Sequence, residues 1–493
     1  MTGDFTATLA LVGIVVLVSS LLSGIVERTG LPQVAFFLLL GAALGPIGLG
    51  LVDLSLRSTA LQVIATLALV LVLFSDSISV DVGELRANRR LALFILGPGT
   101  LAPALLISIA AALLLRVSVP AALILGAALA STDPVLLRGI VRRSELPSVA
   151  RLALRLESGM NDVTLLPIVV LSMLVLSVQP GVPPPHMGRH LLGLFVLGPL
   201  LGALVGWVAI TLLEQIRRRV GVRRDYESLY ALGVAFTAFA AAEAVGGSGF
   251  LAAFAAGVVI ATLDVELCDC FLDYGEASAE MFLLLAFVAF GASVIWMGLT
   301  VADGRTLLFA AIALGVRTAV LLPTLRQAGV DDADRKLIAW FGPRGLSSLL
   351  LVLLPVFAGV QGAEQLFSIA ALVVLLSVVL HGGAIAIFLR RRLPAAPTAV
   401  AARAPLPASA QATESPSPPT TTEEVPERIT IPEYRVLVER QEPVVIVDVR
   451  TDRTYRDDPL RARGAVRLIP DDAVRDARQL GLDQHATLVV YCA

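Results

Sequence analysis

The chain has 493 residues, 56% of them hydrophobic and 16% charged, and a mean hydropathy of +0.83, far from the balance of a water-soluble protein. A soluble fold so poor in charge has to expose broad apolar patches, whereas lipid accepts an apolar surface on every side. The net charge of −2 hides Arg clusters in short loops with almost no charge between them, which gives no basis for nucleic-acid binding.

A helix needs about 20 predominantly apolar residues to cross about 30 Å of hydrocarbon, and about 13 segments meet that measure. Their centres fall near Val15, Leu40, Leu67, Ala102, Ile124, Ile168, Val196, Phe236, Ala255, Leu285, Ala313, Leu349 and Val374. The first segment, Phe5 to Leu22, follows Asp4 and lacks a basic leader, so it reads as a span and not as a cleaved signal peptide. The segments Ile124 to Val135 and Gly249 to Ala261 are short, and short or Gly/Pro-interrupted spans often surround binding sites in membrane transporters.

The positive loops carry Arg138, Arg142 and Arg143; Arg217, Arg218, Arg219, Arg223 and Arg224; Arg326, Arg335 and Lys336; and Arg390, Arg391 and Arg392. All follow odd-numbered spans, while the loops around Pro183, Gly247 and Gly362 carry little positive charge. Positive residues stay on the cytoplasmic side, so a multi-pass plasma-membrane protein is expected with its amino terminus outside and its carboxyl terminus cytoplasmic. Residues 1–393 form this membrane domain. Residues 394–425 are rich in Pro, Ala, Ser and Thr and read as a disordered linker. In residues 426–493, Val444 to Val449 and Thr487 to Tyr491 read as short strands of a small α/β domain.

A carboxylate at mid-membrane depth costs at least a few kcal/mol, so each one demands a partner, a water-filled cavity or a role. Asp133 stands before Pro134 in Ala130-Ser-Thr-Asp-Pro134. Two readings compete there. The helix ends and Asp133 meets cytoplasmic water, or the break frees carbonyls near Ser131 and Thr132 that coordinate a hard cation beside the carboxylate. Glu157-Ser-Gly-Met-Asn-Asp162 reads as the opening of the sixth span, with Glu157 and Asn161 on one helix face and Ser158 and Asp162 on another. A plain amino-terminal cap accounts for Glu157 and Ser158 but not for Asn161 and Asp162, a turn further in.

Arg317, in Leu314-Gly-Val-Arg317, lies inside an apolar span and calls for neutralisation by Glu157 or Asp162. Arg344 sits in the Gly342-Pro343-Arg344 break of another span. For both, snorkelling to the interface is the competing reading. The breaks at Asp133-Pro134 and Gly342-Pro343 occupy comparable places in the two halves, as in an inverted repeat whose unwound helices cross near the midplane.

Thr132-Asp133-Pro134, Glu157-Ser158 with Asn161-Asp162, Gly247-Ser248-Gly249, Arg317 and Gly342-Pro343-Arg344-Gly345 together resemble the monovalent cation/proton antiporter-1 family, over roughly residues 5 to 390. The resemblance implies an all-α polytopic fold with inverted repeats and broken crossing helices, a homodimer, and sodium/proton exchange by alternating access. It implies that cation and proton compete for Asp162, with Asp133, Ser158, Asn161 and the Thr132 backbone supplying oxygen around Na+, and that Glu157 and Arg317 form a structural ion pair. The Asn161-Asp162 pair is the form associated with electroneutral exchange. An oxygen-rich site without thiol or imidazole suits a hard monovalent ion. No cofactor is expected beyond the transported Na+ (or K+ or Li+) and H+.

The carboxyl-terminal segment resembles a rhodanese-like domain through Val444 to Arg450, Tyr455, Gly464-Ala-Val466, Ile469-Pro470 and Leu488 to Cys492. In that family the cysteine at the position of Cys492 heads an anion-cradling loop. Here Ala493 alone follows it, so the partial domain is expected to lack sulfur transfer. Cys268 and Cys270 form a Cys-x-Cys pair without clear further metal ligands. His381, at the end of the last span, reads as a packing residue or a pH sensor. No Gly-x-x-x-x-Gly-Lys loop for ATP is present. The alternatives are potassium/proton exchange on the same architecture, a channel, and a membrane-anchored sulfurtransferase dependent on Cys492.

Overall fold

The structure, a computed structural model, describes residues 33–79, 82–133, 147–176, 187–220, 224–263, 269–392, 443–450, 461–468, 473–482 and 486–491, with a few isolated positions between them. The chain divides into two units, Met1–Pro394 and Ala395–Ala493.

The first unit is helical. In chain order its main helices are α1 (Gln33–Leu44), α2 (Thr59–Ile78), α3 (Arg89–Leu96), α4 (Pro98–Ala110), α5 (Val119–Ala130), α6 (Ser148–Leu176) and α7 (Gly198–Arg219). They continue with α8 (Arg224–Ala244), α9 (Gly249–Thr262), α10 (Asp269–Ala292), α11 (Gly304–Gln327), α12 (Asp332–Trp340), α13 (Leu346–Phe357) and α14 (Ala363–Arg392). Among the described residues, 6 helical spans are long and apolar enough to cross a bilayer, or 7 when the pair Ala277–Ala292 and Val294–Thr300, bent by 58°, counts as one. The spans expected around Leu40, Ile124, Phe236, Ala255 and Leu349 are apolar helices of 10–17 residues. Val15 lies outside the described residues.

Helix starts follow side-chain chemistry. Ser58 and Ser248 accept the Leu61 and Leu251 N–H groups, and Asp303 accepts that of Thr306. Between helices, glycine replaces bulk. A Cβ on Gly41 of α1, or on Gly45 just after it, would strike the backbone of α10 near Val288 and Ala292, and one on Gly202 or Gly206 of α7 would strike α9 at Ala252 or Ala256. Small residues let backbones meet where lipid offers no hydrophobic drive to association.

The break after α12 spans the non-helical residues 341–345. Pro343 disfavours helix at Gly342, and helix resumes at Leu346. Helix α5 stops at Ala130, and Ser131 turns extended (φ −62°, ψ 136°). Pro134 lies outside the described residues. One expectation is corrected: Glu157 does not open its span, because α6 begins at Ser148 and Glu157 stands well inside it. The stretch before it packs Leu152, Leu154 and Leu156 against Leu91, Ile95, Leu321 and Ile338, so the helix continues where an interface was expected.

In the second unit, β1 (Val444–Asp448), β2 (Val466–Arg467) and β3 (Thr487–Tyr491) form a parallel sheet of order β2-β1-β3, with Val447 beside Val466 and Asp448 beside Tyr491. A short helix, α15 (Ala473–Gln479), precedes β3. Asp448 and Arg450 form a buried, two-pronged ion pair, and Tyr491 Oη donates to Asp448 Oδ2 at 2.7 Å. These bonds, above all that from Arg450, hold the Asp448 carboxyl down at about 2. Arg461 and Arg467 lie over the Tyr455 ring at 4.0 and 3.6 Å from its centre. Cys492 lies outside the described residues, as do Cys268 and the Cys270 side chain.

Candidate functional site

The two broken segments meet each other. Asp133 N–H donates to Pro343 O at 2.9 Å, and Leu346 N–H donates to Asp133 Oδ2 at 2.8 Å. In return Arg344 Nη1 donates to Ala130 O and Ser131 O at 2.7 and 3.1 Å. A helix carboxyl terminus is partially negative and an amino terminus partially positive. The Arg344 cation therefore serves the end of α5 and the Asp133 anion serves the start of α13. Asp133 is 1% exposed and Arg344 0%, so neither the cytoplasmic-water reading nor the snorkelling reading holds. Gly345 is required by closeness, since a Cβ there would collide with the Asp133 carboxylate.

Beside this crossing, α6 presents its polar face. Arg317 donates through Nε and Nη2 to Glu157 Oε1 and Oε2 at 2.6 and 2.5 Å, and through Nη1 to Ala339 O at 2.8 Å. Glu157, not Asp162, is thus its counter-charge, and Arg317 is buried and does not snorkel. Thr132 Oγ1 donates to Glu157 Oε1 at 3.3 Å and accepts Asn161 Nδ2 at 2.7 Å. That chain of donors fixes the amide orientation of Asn161, and its Oδ1 has no hydrogen-bond partner among the described residues.

Asp162, 3% exposed, faces hydroxyls: Ser131 Oγ donates to Oδ1 at 2.5 Å, and the Ser347 side chain is a second partner. Ser158 turns its hydroxyl to Arg155 O at 3.4 Å. Asp133, Thr132, Glu157, Asn161, Asp162, Arg317, Gly342, Pro343 and Arg344 are therefore gathered around the crossing, while Ser158 sits on α6 with its hydroxyl engaged elsewhere. His381 is buried in α14 and its Nδ1 lies 3.1 Å from Ser377 Oγ, which accepts the Arg344 N–H at 2.7 Å.

The sequence reading missed the side chains of Ser131, Ser347 and Ser377. Ser131 adjoins Thr132-Asp133, and Ser347 follows Gly342-Pro-Arg-Gly345 directly, so polar residues flanking a break were the available signal. It also missed Asp76, a half-buried acid near the end of α2 that faces Gly159 of α6. Among the described residues no cluster of three or more His, Cys, Asp and Glu suited to a resident metal occurs.

A bundle of apolar helices, with two broken segments crossing beside buried carboxylates, defines a multi-pass membrane transport protein. The family model for the sodium/hydrogen exchanger, transmembrane, matches residues 14–391, and the chain belongs to that family, as a transporter and not an enzyme. It is 26% identical over 394 residues to the K(+)/H(+) antiporter NhaP2 of Shewanella sp. strain ANA-3, covering 78% of this chain and 67% of that protein. It is 25% identical over 333 residues to the Na(+)/H(+) antiporter NhaG of Bacillus atrophaeus, covering 65% of this chain and 62% of that one. The fold resembles that of the sodium proton antiporter MjNhaP1 from Methanocaldococcus jannaschii at pH 8, with a TM-score of 0.63 and 18% identity over 77% of this chain and 100% of that one.

Proposed function

We propose that the chain is a secondary-active, electroneutral sodium/proton antiporter working by alternating access, in which one cation and one proton compete for Asp162. The carrying observation is charge accounting at the crossing. Glu157 is matched by Arg317, and Asp133 and Arg344 each lie against a helix end of opposite sign. Asp162 is bonded to hydroxyls. A buried carboxylate in that position needs one positive charge, and either H+ or Na+ supplies it. Carrying it across empty and charged is too costly, which couples the two ions one for one. Asp162 and Asp133, the Thr132 carbonyl, the unmatched Asn161 Oδ1 and a reoriented Ser158 are the oxygens proposed for the cation.

Around this site the reading includes about 13 spans arranged as an inverted repeat, the amino terminus outside, the carboxyl terminus cytoplasmic, and a homodimer. The second unit is proposed as a rhodanese-like domain, supported by its parallel strands and its Asp448 to Arg450 segment. Potassium/proton exchange is the second reading. It is favoured by the names of relatives such as the Shewanella K(+)/H(+) antiporter NhaP2.

The test is pH-gradient dissipation in proteoliposomes of the full chain with internal pH dye, adding sodium, potassium or lithium to wild type and Asp162→Asn. Sodium-evoked alkalinisation that survives collapse of the membrane potential and vanishes in the variant is expected. A response to potassium alone selects the second reading, and no cation-evoked proton movement in well-reconstituted wild type rejects both.

A further inference from the structure

The hydroxyls on Asp162 come from both broken segments. Ser131 caps the end of α5 and Ser347 lies in the first turn of α13, and both are almost wholly buried. Neither hydroxyl serves a helix end, because Arg344 already serves α5 and Asp133 already serves α13. The Ser131 carbonyl in turn receives Arg344 Nη1 and, at 3.4 Å, Ser348 Oγ. Ser131 therefore ties the carboxylate of α6 to the crossing by one residue, side chain on one side and backbone on the other.

We propose that Ser131 and Ser347 are specificity-determining residues that set the balance between proton and cation at Asp162, a role that rests on the exchange reading above. A hydroxyl that donates to a carboxylate favours its charged form. The same group can rotate and accept when the carboxyl is protonated, so no buried bond is stranded in either state. An oxygen hydrogen-bonded to Oδ1 also stands beside any cation seated on that carboxylate, and adds a ligand of the kind hard ions prefer. Alanine at either position leaves the fold's helix-end bonds in place while removing all three contributions.

The experiment compares wild type, Ser131→Ala, Ser131→Thr, Ser347→Ala and Asp162→Asn, each reconstituted as the full chain. Ser131→Ala is expected to keep exchange, with the acid limb of its pH profile moved to higher pH by about one unit, a tenfold gain for the proton in the competition. The apparent KM for sodium rises on that limb while the maximal rate changes little. Ser131→Thr restores the wild-type profile, and Ser347→Ala moves it in the same direction as Ser131→Ala. In parallel, the infrared carboxylic-acid band that is missing in Asp162→Asn is titrated in each protein, and its midpoint moves upward in both alanine variants. An unmoved midpoint, or Ser131→Ala with wild-type acid limb and sodium KM, overturns the proposal. A moved midpoint in a protein whose wild type shows no exchange keeps the hydroxyl effect and rejects the antiporter reading instead.

Discussion

Replacing Glu157 with leucine tests how the bundle holds its buried charge. Arg317 then loses the acceptors of Nε and Nη2, now at 2.6 and 2.5 Å, and keeps the bond from Nη1 to Ala339 O. The Thr132 hydroxyl loses its acceptor as well. The Arg317 and Glu157 side chains are 3% and 5% exposed, so water does not take over these bonds. Removing one partner of a buried pair costs about 3–5 kcal/mol, because a charge is left behind. Arg317→Leu strands the carboxylate and belongs in the same range. Leucine at both positions leaves only the Thr132 hydroxyl without its acceptor and strands no charge, and well-packed apolar replacement of a buried pair is near neutral. The two single effects should therefore fail to add, with a coupling of at least about 2 kcal/mol. Unfolding of the detergent-solubilised full chain, read for the four proteins of the cycle, measures this directly. A single variant as stable as wild type, or a double variant whose loss equals the sum, refutes the argument. On the exchange reading proposed above, in which the pair is structural, the double variant should regain the cation-evoked proton movement that the single variants lose.

Gly345→Ala drives a methyl into the Asp133 carboxylate and displaces its bond to Leu346, so cation-evoked proton movement should fall at least about tenfold in protein that still folds; wild-type exchange rates would contradict the close approach. Arg57→Ala removes an exposed ion pair with Glu364, and should change stability by less than about 1 kcal/mol and leave exchange intact in the same two assays. In the second unit, the Asp448 carboxyl is held at about 2 against an ordinary 3.8. A lowered folded value means that its stabilisation is complete above the ordinary value and is lost as pH falls through the folded one. Amide hydrogen exchange at β1 in the full chain, corrected for intrinsic rates, should accelerate as pH drops from about 4 to about 2. Asp448→Asn should lack that acid step.

The polar skeleton of the site was readable because an acid or a guanidinium inside an apolar run has few physical excuses. Asp162 and Arg317 stood out on cost, Asp133 and Glu157 each had a plainer helix-end reading beside it, and the proline near each break signalled an interruption. What failed was the depth of Glu157, since Leu152, Leu154 and Leu156 pack against neighbouring helices and carry α6 further than a span-length count allows. The choice between Glu157 and Asp162 as partner of Arg317 also needed three dimensions, because both lie on α6, separated by angle and by about 7.5 Å of rise. Ser131 and Ser347 flank the breaks, but their partnership with Asp162 was hidden for a different reason. A serine in a membrane helix usually returns its hydroxyl to its own backbone, as Ser108 does to Ala104 O, and sequence does not say which serine has a carboxylate above it.

The crossing has a direction built into it. Arg344 lies against the carbonyl end of α5 and Asp133 against the amide end of α13, and exchanging the two charges would set each against a helix end of its own sign. The segments thus hold each other in one register through bonds from Arg344 Nη1 and to Asp133 Oδ2. The next carboxylate along, Asp162, belongs to α6, which runs on helically past it. Its hydroxyl partners belong to the broken segments. Any event that changes the charge on Asp162 is therefore felt first by Ser131 and Ser347, and through the Ser131 carbonyl by Arg344. Unwound backbone is tolerated at membrane depth where it is enclosed by protein, and here that enclosure places the interrupted helices in direct contact with the Asp162 carboxylate.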